Sequence, residues 1–368
     1  MKGDYILMLA SWFPNYVEPT SGNFVKSHIE SIGINNKVIV IYIKFIDRKQ
    51  NFKNSEVLDG NILYITKYLI KPNSDITKFL IYYNYCLQVF KQYGKPKFIQ
   101  VHVGWPVGVV AWLLKGLKKI PYIITEHSSR YLKLNKPRLR FLEKQVFIKA
   151  SGISSVSQHL ETDLKQLFSF TNDPVIIPNL IDDFIYNIPK SIEKEKYFIH
   201  VSNFAEVKQS VKIVSAFIDS LPKIPNYKLY MYGENGPAKD DCIKVAREHG
   251  LLNRNIFIEG IIPKQEVAEK MSKATALISY SLYETQGMTV FEALATHCPV
   301  ICNDIISFQE LVKPELGVLV NSDKELCEAI VNFAQNKYTI NFANYSAKYD
   351  SNTINKMFNN LYKELNLA

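Results

Sequence analysis

Glu284-Thr-Gln-Gly-Met-Thr-Val-Phe-Glu292-Ala-Leu-Ala-Thr-His-Cys-Pro-Val300 decides how the rest of this chain is read. Its two carboxylates stand eight positions apart, one on a loop and one inside the helix that the loop enters. The preceding Thr275-Ala-Leu-Ile-Ser279 is a short apolar run with polar ends, which is how a strand buried on both faces of a parallel sheet reads. Gly287 opens a helical run with Val290, Phe291 and Leu294 on one apolar face. A strand, a glycine turn and a helix start aim backbone N–H groups above the sheet edge, a geometry that suits phosphate. Glu284 and Glu292 can then reach different parts of one extended ligand. By spacing alone the simpler reading is a loop acid and a solvated helical acid.

The same alternation runs through the chain. Tyr5–Ala10, Lys37–Ile43, Phe98–Val103, Tyr122–Thr125, Ile153–Val156 and Val175–Pro178 read as strands of a first sheet. After the polar stretch Asp182–Glu195, a second series comprises Tyr197–Ser202, Lys228–Tyr232, Ile256–Glu259, Ala276–Ser279, Val300–Cys302 and Val318–Val320. Strands alternating with helices imply parallel sheets covered on both faces. Two series predict two doubly wound, Rossmann-like α/β domains, 1–181 and 182–345, with ligands at the carboxyl ends of the strands. The tail Tyr345–Leu367 reads as helix, with Ile354, Met357, Phe358, Leu361 and Leu365 at helical spacing.

Further candidate residues lie where such strands end. Ser11-Trp-Phe-Pro-Asn-Tyr-Val-Glu-Pro-Thr-Ser-Gly22-Asn-Phe-Val follows the first strand, and Gly22 leaves room for a diphosphate against the backbone. Ile123-Ile-Thr-Glu126-His127-Ser-Ser places a histidine at a strand end. A neutral imidazole can donate to or accept from a sugar hydroxyl there. His102 and His200, flanked by apolar residues, read as satisfied core histidines, and His28 reads as an outward helical position. Ser202-Asn203-Phe-Ala-Glu-Val-Lys208-Gln209 follows the first strand of the second series. Tyr232-Gly233-Glu-Asn-Gly236-Pro and Phe257-Ile-Glu259-Gly260-Ile261 follow its next two.

The Glu284–Val300 stretch resembles the E-x7-E signature of retaining glycosyltransferases of family 4, which have the GT-B fold. Glu284, Gly287, Glu292, Ala293, Ala295, Pro299 and Val300 stand in register with it, while His297 replaces the usual glycine. The Trp12-Phe-Pro…Pro19-Thr-Ser-Gly22 opening resembles one bacterial branch concerned with surface polysaccharides. Lys208 keeps its place in the V-G-R-L-x-x-x-K-G segment, but Asn203 stands for the arginine, Gln209 for the glycine, and Ala205 departs from a related arginine variant. Pro178-Asn179-Leu180-Ile181-Asp182 is similar to the hinge motif P-N-G-x-D.

The resemblance implies two domains facing each other across a cleft, with the C-terminal helix 346–368 completing the first. It implies that Lys208, Asn203, Gly22, Gly233, Gly287, Met288 and Thr289 bind the donor, with the backbone near Ile261 at the base. Glu284 would hold donor-sugar hydroxyls, Glu292 the ribose, and His127 would orient donor and acceptor. The donor expected is a UDP- or GDP-linked sugar acting as substrate, with no cofactor and no metal. The acceptor expected is a lipid-linked glycan, as in lipopolysaccharide and related synthesis. A small acceptor such as malate is the alternative. A silent sugar-nucleotide binding module is another, motivated by Asn203 and His297.

Composition bounds these readings. At 368 residues and 47% hydrophobic content the chain can bury two cores. No apolar run reaches 18 residues, and Met1–Ala10 reads as a strand and not a signal peptide, so a cytoplasmic protein is expected. Five cysteines without a framework suit a reducing compartment. The net charge is +9, with ten cations from Lys115 to Lys149 against Glu126 and Glu143. Arg138-Leu-Arg-Phe-Leu-Glu-Lys-Gln-Val-Phe-Ile-Lys149 sets apolar residues among them. That face is either solvated or peripheral to an anionic membrane. No nucleic-acid motif, P-loop, G-x-G-x-x-G, G-x-S-x-G or Asp-x-Asp is present.

Overall fold

The structure is a computed structural model. It describes residues 3–47, 52–128, 137–168, 173–191, 193–345 and 348–367, without the side chains of 137–139. Two compact units emerge: Met1–Leu180 with Tyr349–Ala368, and Ile181–Lys348.

The first unit runs β1 (Ile6–Ala10), α1 (Asn23–Gly33), β2 (Val38–Ile46), β3 (Ser55–Asp59), β4 (Ile62–Ile70), α2 (Asp75–Tyr93) and β5 (Phe98–His102). It continues through α3 (Gly108–Lys118), β6 (Tyr122–Glu126), α4 (Pro137–Ile148), β7 (Gly152–Ser155), α5 (Gln158–Leu167) and β8 (Val175–Ile176). The sheet order is β3-β4-β2-β1-β5-β6-β7-β8, parallel except for the β3–β4 hairpin. β1 and β5 are buried along their whole length; β1 is apolar throughout, while β5 sets Gln100 and His102 among apolar residues. Ser74 and Ser157 start α2 and α5 by accepting the amides of Thr77 and Leu160, satisfying donors the helix leaves open.

The second unit runs α6 (Asp183–Tyr186), β9 (Glu195–Val201), α7 (Ser210–Ser220), β10 (Lys228–Tyr232), α8 (Lys239–Glu248), β11 (Ile256–Ile258) and α9 (Lys264–Lys273). It ends with β12 (Ala274–Ser279), α10 (Met288–Ala295), β13 (Val300–Asn303), α11 (Ile306–Gln309), β14 (Gly317–Val320) and α12 (Asp323–Ala334). Its order, β11-β10-β9-β12-β13-β14, is parallel throughout. The last helix, α13 (Ser351–Glu364), begins at Asp350, whose carboxylate accepts the Thr353 amide. It is shorter than the predicted Tyr345–Leu367, because that cap fixes the start and the described residues 348–350 before it are not helical.

Two expectations are corrected. β3 and β4 were not anticipated: β3 is almost wholly exposed and carries no apolar run, whereas β4 is a largely apolar run that follows the Asp59-Gly60 turn (Gly60 φ 54°). His28 does not face outward but is fully buried. Helix α13 lies on α1, through Ser31 Oγ to the Ser351 carbonyl (2.7 Å) and the Phe358 ring against His28 (5.2 Å), so α1 is covered on two sides. Among the described residues no helix is long and apolar enough to cross a membrane.

Candidate functional site

In the second unit, the strand ends carry the residues that the Glu284–Val300 stretch pointed to. Lys208 ends a 3-10 turn, Glu206–Lys208, that follows β9, and its Nζ lies 2.5 Å from Glu284 Oε1. The Ser281 hydroxyl donates to the same oxygen at 2.7 Å. The pair joins residues 76 positions apart, because β9 and β12 are neighbours in the sheet and both loops leave their carboxyl ends. Gly287 (φ 77°) then starts α10, and an added Cβ would sit 2.5 Å from the Phe308 ring. A glycine there brings no side-chain acceptor to the first-turn amides, so Met288 and Thr289 begin an uncapped, electropositive helix end. Glu292, one turn further, is partly exposed, and burial pushes its carboxyl up to about 7 against the pull of Lys264. Lys264 itself pairs with Asp182 at 2.6 Å.

Two positions that break the glycine pattern keep the glycine conformation. Gln209 has φ 52° and His297 φ 56°, both left-handed, where the family pattern has glycine. His297 offsets that strain by stacking on Phe342 at 4.8 Å, while its carbonyl accepts from Lys194 Nζ at 2.9 Å. Phe204, φ 49°, is fully buried under the loop. Asn203, in the arginine position, is exposed and turns its Oδ1 to the Ala205 amide. The loops after β9 and β10 touch where no side chain fits: a Cβ on Gly233 would lie 1.6 Å from the Ser202 carbonyl oxygen. Ile261, after β11, is 65% exposed, an apolar side chain left open at the sheet edge. Lys239, which motif reading passed over, is buried, with Nζ 3.0 Å from Asn235 Oδ1 and 5.5 Å from the Phe204 ring centre.

In the first unit, Gly22 (φ 72°) caps α1, and its missing Cβ would lie 2.6 Å from the Trp12 carbonyl carbon. His127 is buried just past β6. Its Nδ1 donates to Asn179 Oδ1 at 2.8 Å, and its Nε2 stands 3.2 Å from His102 Nδ1. His102 is therefore not the fully satisfied core histidine expected, because its Nε2 has no partner; His200, bonded through both nitrogens, is. Glu126, beside His127, accepts the amides of Gly104, His127 and Ser128. Burial nevertheless raises it to about 7. Glu143 is raised to about 8 by burial and then by Glu126. Both carboxyls line a cavity of about 530 Å³ with Trp12, Tyr42, Lys44 and Trp105. Nothing in the residue spacing announced Glu143, since it reaches the cavity from helix α4.

The basic stretch is less uniform than its sequence. Lys115 Nζ is tied to the Lys149 carbonyl at 2.7 Å, and so belongs to the fold. Arg130, Lys133 and Lys136, and the side chain of Arg138, lie outside the described residues. Leu117 and Phe141 are 66% and 62% exposed in the same stretch.

Two Rossmann-like units, each a doubly wound sheet parallel but for one hairpin in the first, with glycine turns and charged groups at the carboxyl ends of the strands, define the class. Residues 35–183 match the family model described as Glycosyltransferase Family 4, and residues 182–353 the model described as Glycosyl transferases group 1. The chain belongs to the family-4 glycosyltransferases of GT-B fold.

It is 24% identical over 227 residues to N-acetyl-alpha-D-glucosaminyl L-malate synthase of Bacillus anthracis, covering 58% of each chain. It is 27% identical over 306 residues to poly(glycerol-phosphate) alpha-glucosyltransferase of Bacillus subtilis, covering 77% of this chain and 43% of that protein. The chain thus spans less than two thirds of the length of either relative. Among solved structures, HepE of Anabaena in complex with UDP shares the fold at a TM-score of 0.72 and 15% identity, covering 98% of this chain and all of that one (100%).

Proposed function

We propose that the chain is a retaining, metal-independent transferase that moves a sugar from a nucleoside-diphosphate donor to a hydroxyl of a glycan or lipid-linked acceptor. The observation that carries this is the Lys208–Glu284 pair at 2.5 Å, set beside the open end of α10. As the sugar departs, positive charge develops on its ring and negative charge on the diphosphate. A lysine and a helix N-terminus are fixed charges aimed at the second, and a carboxylate beside them suits the first and the sugar hydroxyls. Glu292 takes the ribose, Ile261 lies under the base, and Asn203 and Gly233 shape the phosphate loop. In the first unit, His127 orients sugar and acceptor hydroxyls, and Gly22 lets the backbone approach the diphosphate. No covalent nucleophile is assigned; the leaving phosphate assists deprotonation of the acceptor on the same face. HepE solved with UDP favours a uridine donor, and the poly(glycerol-phosphate) relative favours a surface polymer as acceptor.

The Bacillus anthracis relative motivates a second reading, with malate as acceptor. A panel of nucleotide sugars, offered with and without malate, separates the readings. Slow donor hydrolysis without acceptor supports a transferase, and binding without any hydrolysis supports a silent module. Turnover is expected to survive excess chelator. Complete loss restored by magnesium or manganese would remove the metal-independent scheme.

Work at the inner face of the cytoplasmic membrane belongs to the same proposal. Exposed Leu117 and Phe141 among Lys118, Lys119, Arg140 and Lys144 favour contact with anionic lipid. Sedimentation with anionic vesicles should weaken sharply with salt, since exposed charges are screened within about 10 Å at 0.1 M. Arg140→Glu with Lys144→Glu should abolish it. Equal, poor sedimentation of wild type and variant means the face is merely solvated.

A further inference from the structure

We propose that His28, His102 and His127 form a binding site for a divalent transition-metal ion, zinc by preference. Their three ligating nitrogens lie within 4.8 Å of one another, and all three rings are buried. The site is put together by topology. His102 ends β5, His127 follows the neighbouring β6, and His28 comes down from α1 over the same carboxyl edge.

The hydrogen bonds fix which nitrogen of each ring is available. His28 Nε2 lies 2.9 Å from the Pro178 carbonyl, which can only accept, so His28 carries its proton there and its Nδ1 is a lone pair. His127 Nδ1 donates to Asn179, so its Nε2 is a lone pair too. His102 Nδ1, 3.2 Å from that nitrogen, therefore holds the proton between them, which leaves His102 Nε2 as a third lone pair. His28 Nδ1 and His102 Nε2 have no partner and no access to water. A buried acceptor in that state costs free energy, and an unpartnered His28 Nδ1 within a cluster of three histidines calls for a donor or a cation.

A metal answers the arrangement. The 3.2 Å between His102 Nδ1 and His127 Nε2 is close to the edge of a tetrahedral centre with Zn–N bonds of about 2.0–2.1 Å. On binding, the His102 proton shifts from Nδ1 to Nε2, so the ring stays neutral and no net proton is released. His28 Nδ1 closes the third position by rotating toward the pair. The Pro178 carbonyl and Asn179 already hold the backs of two rings, as second partners of metal-bound histidines do. The ring with residual exposure, 4%, is His127, and it marks the way in. Three neutral nitrogens with an open fourth position match sites where zinc keeps an exchangeable ligand. Occupancy takes the His127 lone pair, so the ion would act as a brake on that ring and not as a catalytic metal.

The test is uptake by the whole chain, which makes its outcome separate from the transferase reading. Protein stripped with chelator is dialysed against zinc, and in parallel titrated with cobalt(II). One equivalent of each is expected, with the intense visible bands of a tetrahedral cobalt centre. His28→Gln and His102→Gln should each weaken uptake at least tenfold. A second readout needs no variant: the ring nitrogens of His28, His102 and His127 should shift together in wild-type NMR spectra on zinc addition. Absent uptake, or uptake with those three rings unmoved, overturns the site and leaves the lone pairs to a buried water.

Discussion

Gly233→Ala is expected to unfold the second unit or displace its strand-end loops outright. An alanine Cβ at that position would lie 1.6 Å from the Ser202 carbonyl oxygen and 2.8 Å from its carbon, well inside contact. Both atoms are backbone, so no flexible side chain can yield. The φ of 147° adds strain for any L-residue. Relief requires pulling the loop after β9 away from the loop after β10, which breaks the Ser202 N to Tyr232 O bond of 3.0 Å. Costs above about 4 kcal/mol are exceptional for one substitution, and this steric conflict falls in that class. Against a total stability of about 5–15 kcal/mol, such a loss removes most of the unit's margin. Gly116→Ala is the matched control. It sits exposed in α3 with nothing within 4 Å of its Cβ, and should stabilise the first unit by up to about 1 kcal/mol. Urea unfolding followed by amide exchange in each unit checks both; a Gly233→Ala protein with native protection after β9 and β10 contradicts the close approach.

Much of this architecture was legible because buried parallel strands leave a plain trace. β1, β2, β10 and β12 are largely apolar on both faces, and the expected strands start and stop within a few residues of those found. β3 escaped because an exposed edge strand needs no apolar run, while its partner β4 does carry one. His28 escaped because its helix is covered by α13, more than 300 residues later, and one helix's periodicity cannot show a second covering layer. Gln209 and His297 looked like breaks in the glycine turns, yet each adopts the left-handed conformation itself. His297 keeps it because Phe342 supplies a stacking surface. The spacing of Glu284 and Glu292 placed one acid on a loop and one in a helix, as found. It could not show that Lys208 would close on Glu284, since that contact depends on β9 and β12 being sheet neighbours.

That contact sharpens what the two glutamates should do when replaced. Glu292 faces a ribose in the proposed function, a group unchanged between ground state and transition state. Glu292→Gln should therefore weaken donor and free nucleoside diphosphate alike, by about 1.5–3 kcal/mol, the usual worth of hydrogen bonds to a charged group. Turnover at saturating donor should hardly move. Glu284 differs because in the free protein its Oε1 already holds the Lys208 ammonium and the Ser281 hydroxyl. For Lys208 to meet a phosphate, that pair must open or be shared, so Glu284 competes with the diphosphate for the cation. Glu284→Gln keeps the shape and the Ser281 contact but removes the competing charge. Diphosphate affinity should stay the same or tighten, while turnover falls on the order of 10²-fold, as when one preorganised group facing developing charge is lost. Calorimetric titration of diphosphate and donor into both variants, with donor hydrolysis in parallel, makes the comparison. Equal losses of diphosphate affinity in the two variants, with hydrolysis intact in Glu284→Gln, would falsify the assignment of Glu284 to the reacting sugar and leave its pair with Lys208 a structural one.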